Sequence, residues 1–581
     1  MRPPRLPLLL GAVLCATPMA ARLPAQAPRD PVAPAPAPSC EGLTVSRIDI
    51  RPGRPPYAGS ASRWRHFARA VGLHHATTRE GVIEAFLQLH VGQPCTEERR
   101  RESERLLRDQ PYIADARLTA TPDGQGGVAI LVETVDEVPV LVGGQIHGAS
   151  LQSLSLGNAN IGGQGLLGLG YYERGFGHRT GAGLRVIEYA TFGRPYTTTL
   201  EAFRHPLGFY RNAELAHPFL TDFQRFAWHL RASDEEQYRG VSRAARDPLA
   251  LRVPQQRWDA SAITRLFGTG TVTLLGVGAS GIRISPDRQG IVVVDTGLVA
   301  DSGTALVDRY QPFRAVRLGV LAGIRRLHFT TVQGFDGLFA LQDVASGVMA
   351  GAFAAHGLPS AGESDRFLSG GLYGGAAGAR VLLATAAQME ARQAPVTNAW
   401  DNMIGSGRAA LYLKGAPGML VLLDDRYSLG VNARLPLQLD LGDRVGGILG
   451  YRTASLAGAR RNALRSEVRF SREALIHNAD LGFAAFGENG RVWAGDVPYG
   501  VNATRSTLGF SLLGAYPTRS KRLYRVDVGF PLSRGGTGRG GIEVRFSSED
   551  RSGAFWTEPD DVARARTGPV ASTLFITPTA R

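Results

Sequence analysis

The sequence predicts a mostly β protein: a transmembrane antiparallel β-barrel of roughly sixteen strands behind one small α+β unit. Three observations predict it. An apolar leader of export length opens the chain. A run of more than 400 residues then shows period-2 alternation and no convincing helical pattern. Within that run, charged side chains occupy the second face of strands whose first face is apolar. Glycine supplies 72 of 581 residues, about 12% against a usual ~7%, as tight turns and close strand packing require. Beyond the leader no stretch approaches the ~18 consecutive apolar residues of a spanning helix, which excludes a helical membrane protein and leaves a closed barrel open.

Residues 1–27 read as a secretory signal. Arg2 and Arg5 form its charged start, Leu8 to Leu14 its apolar core, and Ala25-Gln26-Ala27 its cleavage pattern, with Ala20-Ala21 as a second site. Cys15 lies in the apolar core without a lipobox-like context. The leader carries three arginines and no acid, so the remainder keeps a net charge of +11 out of +14. Lys414 and Lys521 are the only lysines, so this charge is arginine, scattered along the chain. Scattering favours a guanidinium-lined lumen and anionic lipid over nucleic acid as the counterpart. Cys40 and Cys95 remain after export. In an oxidising periplasm they can pair, contributing roughly 4 kcal/mol, but the sequence leaves open whether the two sulfurs meet.

Residues 28–40 form a stiff Pro/Ala linker. The unit over 41–137 reads β-α-α-β-β. Leu43, Val45, Ile48 and Ile50 make a strand, and Val82 to Leu89 a helix. Thr96 caps a second helix with Glu97 and Glu98 in its first turn, suited to the N-terminal dipole. Two strands follow, Tyr112–Ala120 and Val128–Val135, joined by an Asp123-Gly124 turn. The barrel is expected over 138–549, with strands such as Phe226–Arg231, Arg434–Leu441, Tyr524–Phe530 and Gly541–Phe546. Asp424-Asp425-Arg426 reads as a solvated turn. A tail over 550–581 completes the chain.

Catalytic patterns fail. Gly276–Gly281 and Gly163–Gly168 match GxGxxG, but neither opens the helix that a dinucleotide site needs. His74-His75 lack partners at metal-ligand spacing, and HExxH, CxxC, GxSxG and P-loop patterns are missing. No catalytic residue, cofactor or metal is expected, and the chain is not read as an enzyme.

Several motifs resemble the BamA/TamA-type outer-membrane assembly and polypeptide-transport barrels, also called bacterial surface-antigen proteins. Leu89–Pro94 with Arg105–Arg117 resembles a POTRA domain. Leu156–Gly165, carrying Gly157, Asn160, Gly163 and Gly165, resembles the family's first barrel hairpin. Gly446, Gly447, Gly450, Tyr451 and Arg452 sit where the family carries its inward-folded loop. Ser466–Phe470, Phe486–Trp493 and Arg525–Leu532 resemble the later strands, in family order. There are three departures. Leu449 stands where the family has its loop arginine, leaving Arg452 as the nearest substitute. A tail with Phe555, Trp556 and Phe575 follows the last strand, and only one POTRA-like unit is visible.

The resemblance implies location in the outer membrane of a Gram-negative-type envelope, with the N-terminal unit in the periplasm. It implies lipid, unfolded outer-membrane or secreted polypeptide clients and periplasmic accessory proteins as partners. It also implies a loop arginine paired with strand carboxylates, here Arg452 with Glu467 and Glu488; the plainer reading is three unrelated lumen charges. Finally it implies a weak seam between Val138–His147 and Gly541–Glu549 that opens sideways and accepts a client strand by β-augmentation. The other class kept is a passive or structural barrel, porin-like or a surface antigen.

Overall fold

The computed structural model describes residues 39–54, 76–174, 180–243, 246–267, 270–294, 297–452, 456–476, 478–533, 540–550, 555 and 557–569. The leader, nearly all of the 28–40 linker, His74-His75, Trp556 and Phe575 lie outside these residues.

The N-terminal unit is built from β1 (Thr44–Gly53), α1 (Glu80–Glu84), α2 (Glu97–Arg108), β2 (Ile113–Pro122) and β3 (Gly127–Asp136). The central strand β3 runs parallel to β1 and antiparallel to β2. Alternation on β3 buries Val128, Ile130 and Val132 in one cluster with Ile83 of α1, Phe86 just after it, and Leu106 and Leu107 of α2. The Thr96 side chain accepts the Arg99 amide and caps α2. Asp123 accepts the amides of Gln125 and Gly127, closing the β2–β3 turn with Gly124 at φ 77°. Cys40 and Cys95 form a disulfide with their Cα atoms 5.7 Å apart, tying the start of the unit to the approach to α2.

From β4 (Val140–His147) the chain becomes an antiparallel meander. Its first turns around the wall are β5 (Ser150–Asn158), β6 (Leu166–Arg174), β7 (Thr180–Glu188), β8 (Thr197–His205) and β9 (Gly208–His217). Longer strands follow: β10 (Phe226–Arg243), β11 (Arg246–Phe267) and β12 (Val272–Ile284). The connection after β12 holds a small hairpin, β13 (Ile291–Val294) and β14 (Gly297–Ala300), and α3 (Ala305–Arg309). The wall resumes with β15 (Phe313–Gln333), β16 (Leu341–Gly357), β17 (Arg366–Ala377), β18 (Val381–Gln393), β19 (Trp400–Lys414) and β20 (Met419–Val431). The long connection over 432–459 holds two-residue strands β21 (Leu439–Asp440) and β22 (Ala457–Gly458). The wall ends with β23 (Arg460–Ile476), β24 (Ala479–Trp493), β25 (Ala503–Ala515), β26 (Arg522–Pro531) and β27 (Glu543–Asp550), and α4 (Asp560–Ala565) lies in the tail. β27 pairs with β4 and closes the ring.

β12 pairs directly with β15, so β13–β14 is a side branch and the closed wall has twenty strands, not about sixteen. The estimate allotted too much chain to connections. Several hairpins close in two residues, as between β4 and β5 and between β8 and β9.

Along most of the wall strands one face is apolar and exposed. On β15, Leu318, Val320 and Ile324 are about half exposed, while Arg317, Leu321 and Arg325 on the other face are buried. The outward charges Arg314 and Arg326 bracket that stretch. They lie roughly 30 Å apart along the axis at a ~40° tilt, room for the ~25 Å apolar band of a membrane barrel. Leu184, Leu200, Val277, Val348, Leu372 and Leu508 continue the apolar exterior around the ring.

The N-terminal unit docks on one rim. Arg105 Nη2 donates to the Leu220 carbonyl at 2.7 Å, and its guanidinium lies over Phe329. Arg108 pairs with Asp343 at 2.8 Å. Lys521, between β25 and β26, donates to the Arg108 and Gln110 carbonyls, and Arg522 to that of Pro111. Ser520 donates to Glu137 at 2.7 Å. Burial pushes the Glu137 carboxyl up against the opposing pull of Arg522 and Ser520. Replacing Lys521 with alanine removes two charge-assisted bonds, about 1.5–3 kcal/mol. Limited proteolysis should then cut the N-terminal unit roughly ten- to a hundredfold faster; an unchanged rate would count against Lys521 as the clamp.

Two strand-level expectations are corrected. Arg434–Leu441 is not a wall strand. It lies in the long 432–459 connection, and its alternating Leu435, Leu437, Leu439 and Leu441 are all buried, because the connection folds inward. Asp424-Asp425-Arg426 is no solvated turn but the middle of β20, where buried Asp424 binds Arg408 at 2.8 Å and Arg426 at 2.7 Å.

Candidate functional site

The paired register of the wall is shortest where its ends meet, one pair below that of β5–β6. The register between β27 and β4 runs only from Glu543↔His147 to Ser547↔Gly143, five pairs against seventeen between β10 and β11. The Phe546 ring fills the space a Cβ would take at Gly144, so the seam is packed through a glycine rather than through paired side chains. Gly148 N adds one bond to the Ile542 carbonyl, and Val142 N one to the Ser548 hydroxyl.

The inward connection covers this seam from the lumen side. Leu441, Ile448 and Tyr451 are buried with Val492, and Gly490 of β24 leaves the room that Leu441 and Ile448 occupy. Gly450 adopts φ 89°, a left-handed conformation that glycine takes without strain. That turn aims two successive amides at carboxylates: Leu449 N donates to Glu488 at 2.8 Å and Gly450 N to Glu543 at 2.7 Å. Tyr451 donates to the Ser506 carbonyl, and Thr507 to that of Leu449.

Glu543 is the node. Fully buried on β27, it accepts from the Gln145 side chain on β4, from Arg545 on its own strand and from the loop at Gly450. Arg452 Nη1 donates to Gln145 Oε1 at 3.1 Å and lies 3.7 Å from Glu173 on β6. Beside the backbone pairs, one carboxylate, one amide side chain and one loop therefore hold first strand to last. Opening the seam requires all three to part along with the five backbone pairs.

The expected arrangement of Arg452 with Glu467 and Glu488 is corrected. Arg452 turns toward β4 and β6, because the loop tip crosses the lumen face of β27. The two carboxylates are held by other arginines. Glu467 on β23 binds Arg465 at 2.8 Å, Arg469 at 3.1 Å and Arg525 at 2.6 Å. Arg465 also binds Glu488 at 2.8 Å and lies over the Phe486 ring at 3.7 Å. Asp527 pairs with Arg525, so three arginines and three acids form one buried, charge-balanced cluster across β23 to β26. Sequence reasoning missed Gln145, Glu543, Arg465 and Arg525. The signal that was present is the alternation of sign at i, i+2 in Arg465, Glu467 and Arg469, which places all three on one strand face.

Gly157, Asn160, Gly163 and Gly165 lie elsewhere. Gly157 lies near the end of β5 and the other three in the β5–β6 connection, the second hairpin of the wall rather than the first, since β4–β5 precedes it. There Asn160 donates to Thr78 at 2.8 Å and accepts the Gly165 amide, while Arg79 N donates to the Gly163 carbonyl. This motif seats the N-terminal unit on the rim and takes no part in the seam.

No protein-family model and no curated protein matches the chain. Solved structures to which the chain is similar include BamA from Haemophilus ducreyi lacking POTRA domains 1-3. That chain is 12% identical, with 87% of this chain and 85% of that chain covered and a TM-score of 0.36. CdiB from Acinetobacter baumannii is 11% identical over 87% of this chain and 74% of that chain, with a TM-score of 0.41. CdiB from Escherichia coli is 12% identical over 88% and 76%, with a TM-score of 0.39.

Proposed function

We propose that the chain is an outer-membrane barrel of the BamA/TamA type, which assists insertion of outer-membrane proteins or passage of polypeptides through lateral opening of the β27–β4 seam. The exposed apolar exterior supports the membrane-spanning part of this reading: exposed apolar surface so continuous has lipid as its fitting solvent. The N-terminal unit, read as a single POTRA domain, then lies in the periplasm. The observation that carries the activity is the five-pair seam, held by one loop through Glu543. Released from Glu543 and Gln145, the backbones of β4 and β27 offer unpaired edges to a client strand.

Cysteines at Ile146 and Val544, a cross-strand pair, test the activity. Oxidation ties the seam shut, and reduction frees it. Cells depending on the tied protein should lose at least about 90% of client insertion, a tenfold effect that corresponds to ~1.4 kcal/mol, with recovery on reduction. Undiminished insertion with the seam tied would show that lateral opening is not needed and overturn this reading.

A further inference from the structure

The C-terminal tail does not hang free of the barrel. Residues 557–569 run through the lumen and bond to inward-facing side chains on strands far apart around the wall. Asp561 receives a bidentate pair from the fully buried Arg461 on β23, at 2.7 and 3.2 Å. Three residues on, the Arg564 carbonyl accepts from Arg257 on β11 at 2.6 Å and from Arg239 on β10 at 3.3 Å. In the ring order β10 and β23 stand nine strands apart out of twenty, which is nearly opposite. A segment joined to both within one helical turn lies across the middle of the channel.

The rest of the segment is bound as closely. Glu558 accepts from Ser406 and from Arg566 of the tail itself, and Arg566 lies 3.8 Å from Glu390 on β18. Thr567 N donates to Glu390 at 2.8 Å, its carbonyl accepts from Arg317 at 2.8 Å, and its hydroxyl accepts from Asn402 at 3.0 Å. Ser369 donates to the Pro569 carbonyl. Val562 and Ala565 are fully buried against Ile404, Leu437 and Leu439, so one face of α4 packs on the inward connection. Polar wall groups that would otherwise bind water are thus matched to one short peptide, and Arg461 couples it to the seam loop by donating also to the Asp440 carbonyl at 2.7 Å.

We propose that the lumen is a peptide-binding site whose resident occupant is the chain's own 557–569 segment, a removable plug that closes the channel and leaves before anything passes through it. The inference rests on the membrane-spanning reading of the barrel but not on lateral opening. A conductance measurement reads the plug whether or not the seam opens.

The test is conductance of the purified protein in planar bilayers, for the full chain, for a chain ending at Thr557, and for full-length Asp561→Arg, which sets two arginines against each other. The full chain should conduct little. The shortened chain and Asp561→Arg should conduct several-fold more, and a synthetic peptide of residues 557–569 should return the shortened barrel to the low state. Equal conductance of full and shortened barrels, both folded by heat-modifiability, would overturn the proposal, as would a peptide without effect. If the shortened chain does not fold, Asp561→Arg decides alone, and full-chain conductance in that variant would overturn the plug. A full chain that never enters the bilayer would instead overturn the membrane reading beneath it.

Discussion

Replacing Glu467 with alanine is expected to lower the temperature at which the folded barrel converts to its unfolded form on electrophoresis by about 5–10 °C. Glu467 is fully buried and is the shared acceptor of Arg465, Arg469 and Arg525. Removing it leaves three guanidinium groups facing one another with only Glu488 and Asp527 between them. Loss of one partner from a buried ionic cluster costs about 3–5 kcal/mol, more than the pair contributed, because the remaining charges stay desolvated. The cluster joins β23, β24 and β26, so the loss falls on the wall beside the seam. Glu467→Gln keeps the volume and removes the charge, and should recover little of the loss. Adding Arg525→Ala to Glu467→Ala should cost clearly less than the two single changes together, since the second removes a cation that the first left stranded. Unchanged thermal conversion in Glu467→Ala would show that water fills the lumen there and screens the arginines.

Glu543→Ala should act on the seam itself. It frees Gly450 N, leaves Arg545 without its strand partner and releases Gln145. Removing one partner from a buried, hydrogen-bonded charge pair costs about 3–5 kcal/mol in all. The more telling readout is local. Oxidation of the Ile146→Cys/Val544→Cys pair should be slower and less complete when Glu543 is alanine, because the strands spend less time in register. The same pair with Glu467→Ala should oxidise nearly as fast as in the parent, which separates loss of the wall cluster from loss of the clasp. Equal oxidation in Glu543→Ala and parent would mean that the five backbone pairs hold the seam without the loop.

The contrast between these two acids shows how far the sequence could be read. The alternation in Tyr524–Phe530 reports a strand with one face in a greasy solvent and one in a polar interior, and β26 is that strand. The same alternation in Arg434–Leu441 reports only that one side is buried. It says nothing of what covers it, and here the cover is the barrel's own lumen. The position of the inward loop was legible because Gly446, Gly447 and Gly450 mark backbone that must turn sharply and approach its neighbours closely. The loop's partners were not legible. They are fixed by the register between strands and by the path of the loop tip, so Gly450 meets Glu543, 93 residues on, and Arg452 meets Gln145, 307 residues back. The tail was visible as an addition after the last strand, but its place in the lumen depends on Arg461, Arg257 and Glu390, which come together only when the ring closes.

Everything in this account depends on which face of the wall meets lipid, and β15 tests that most directly. Single cysteines at consecutive positions from Arg317 to Arg325, carrying a fluorophore, can be read in bilayers containing brominated lipid. Leu318, Val320, Ala322 and Ile324 should be strongly quenched and Gly319, Leu321 and Gly323 weakly, in strict alternation. Uniform quenching along the strand, or a protein that stays dispersed in water without detergent and shows none, would contradict the account.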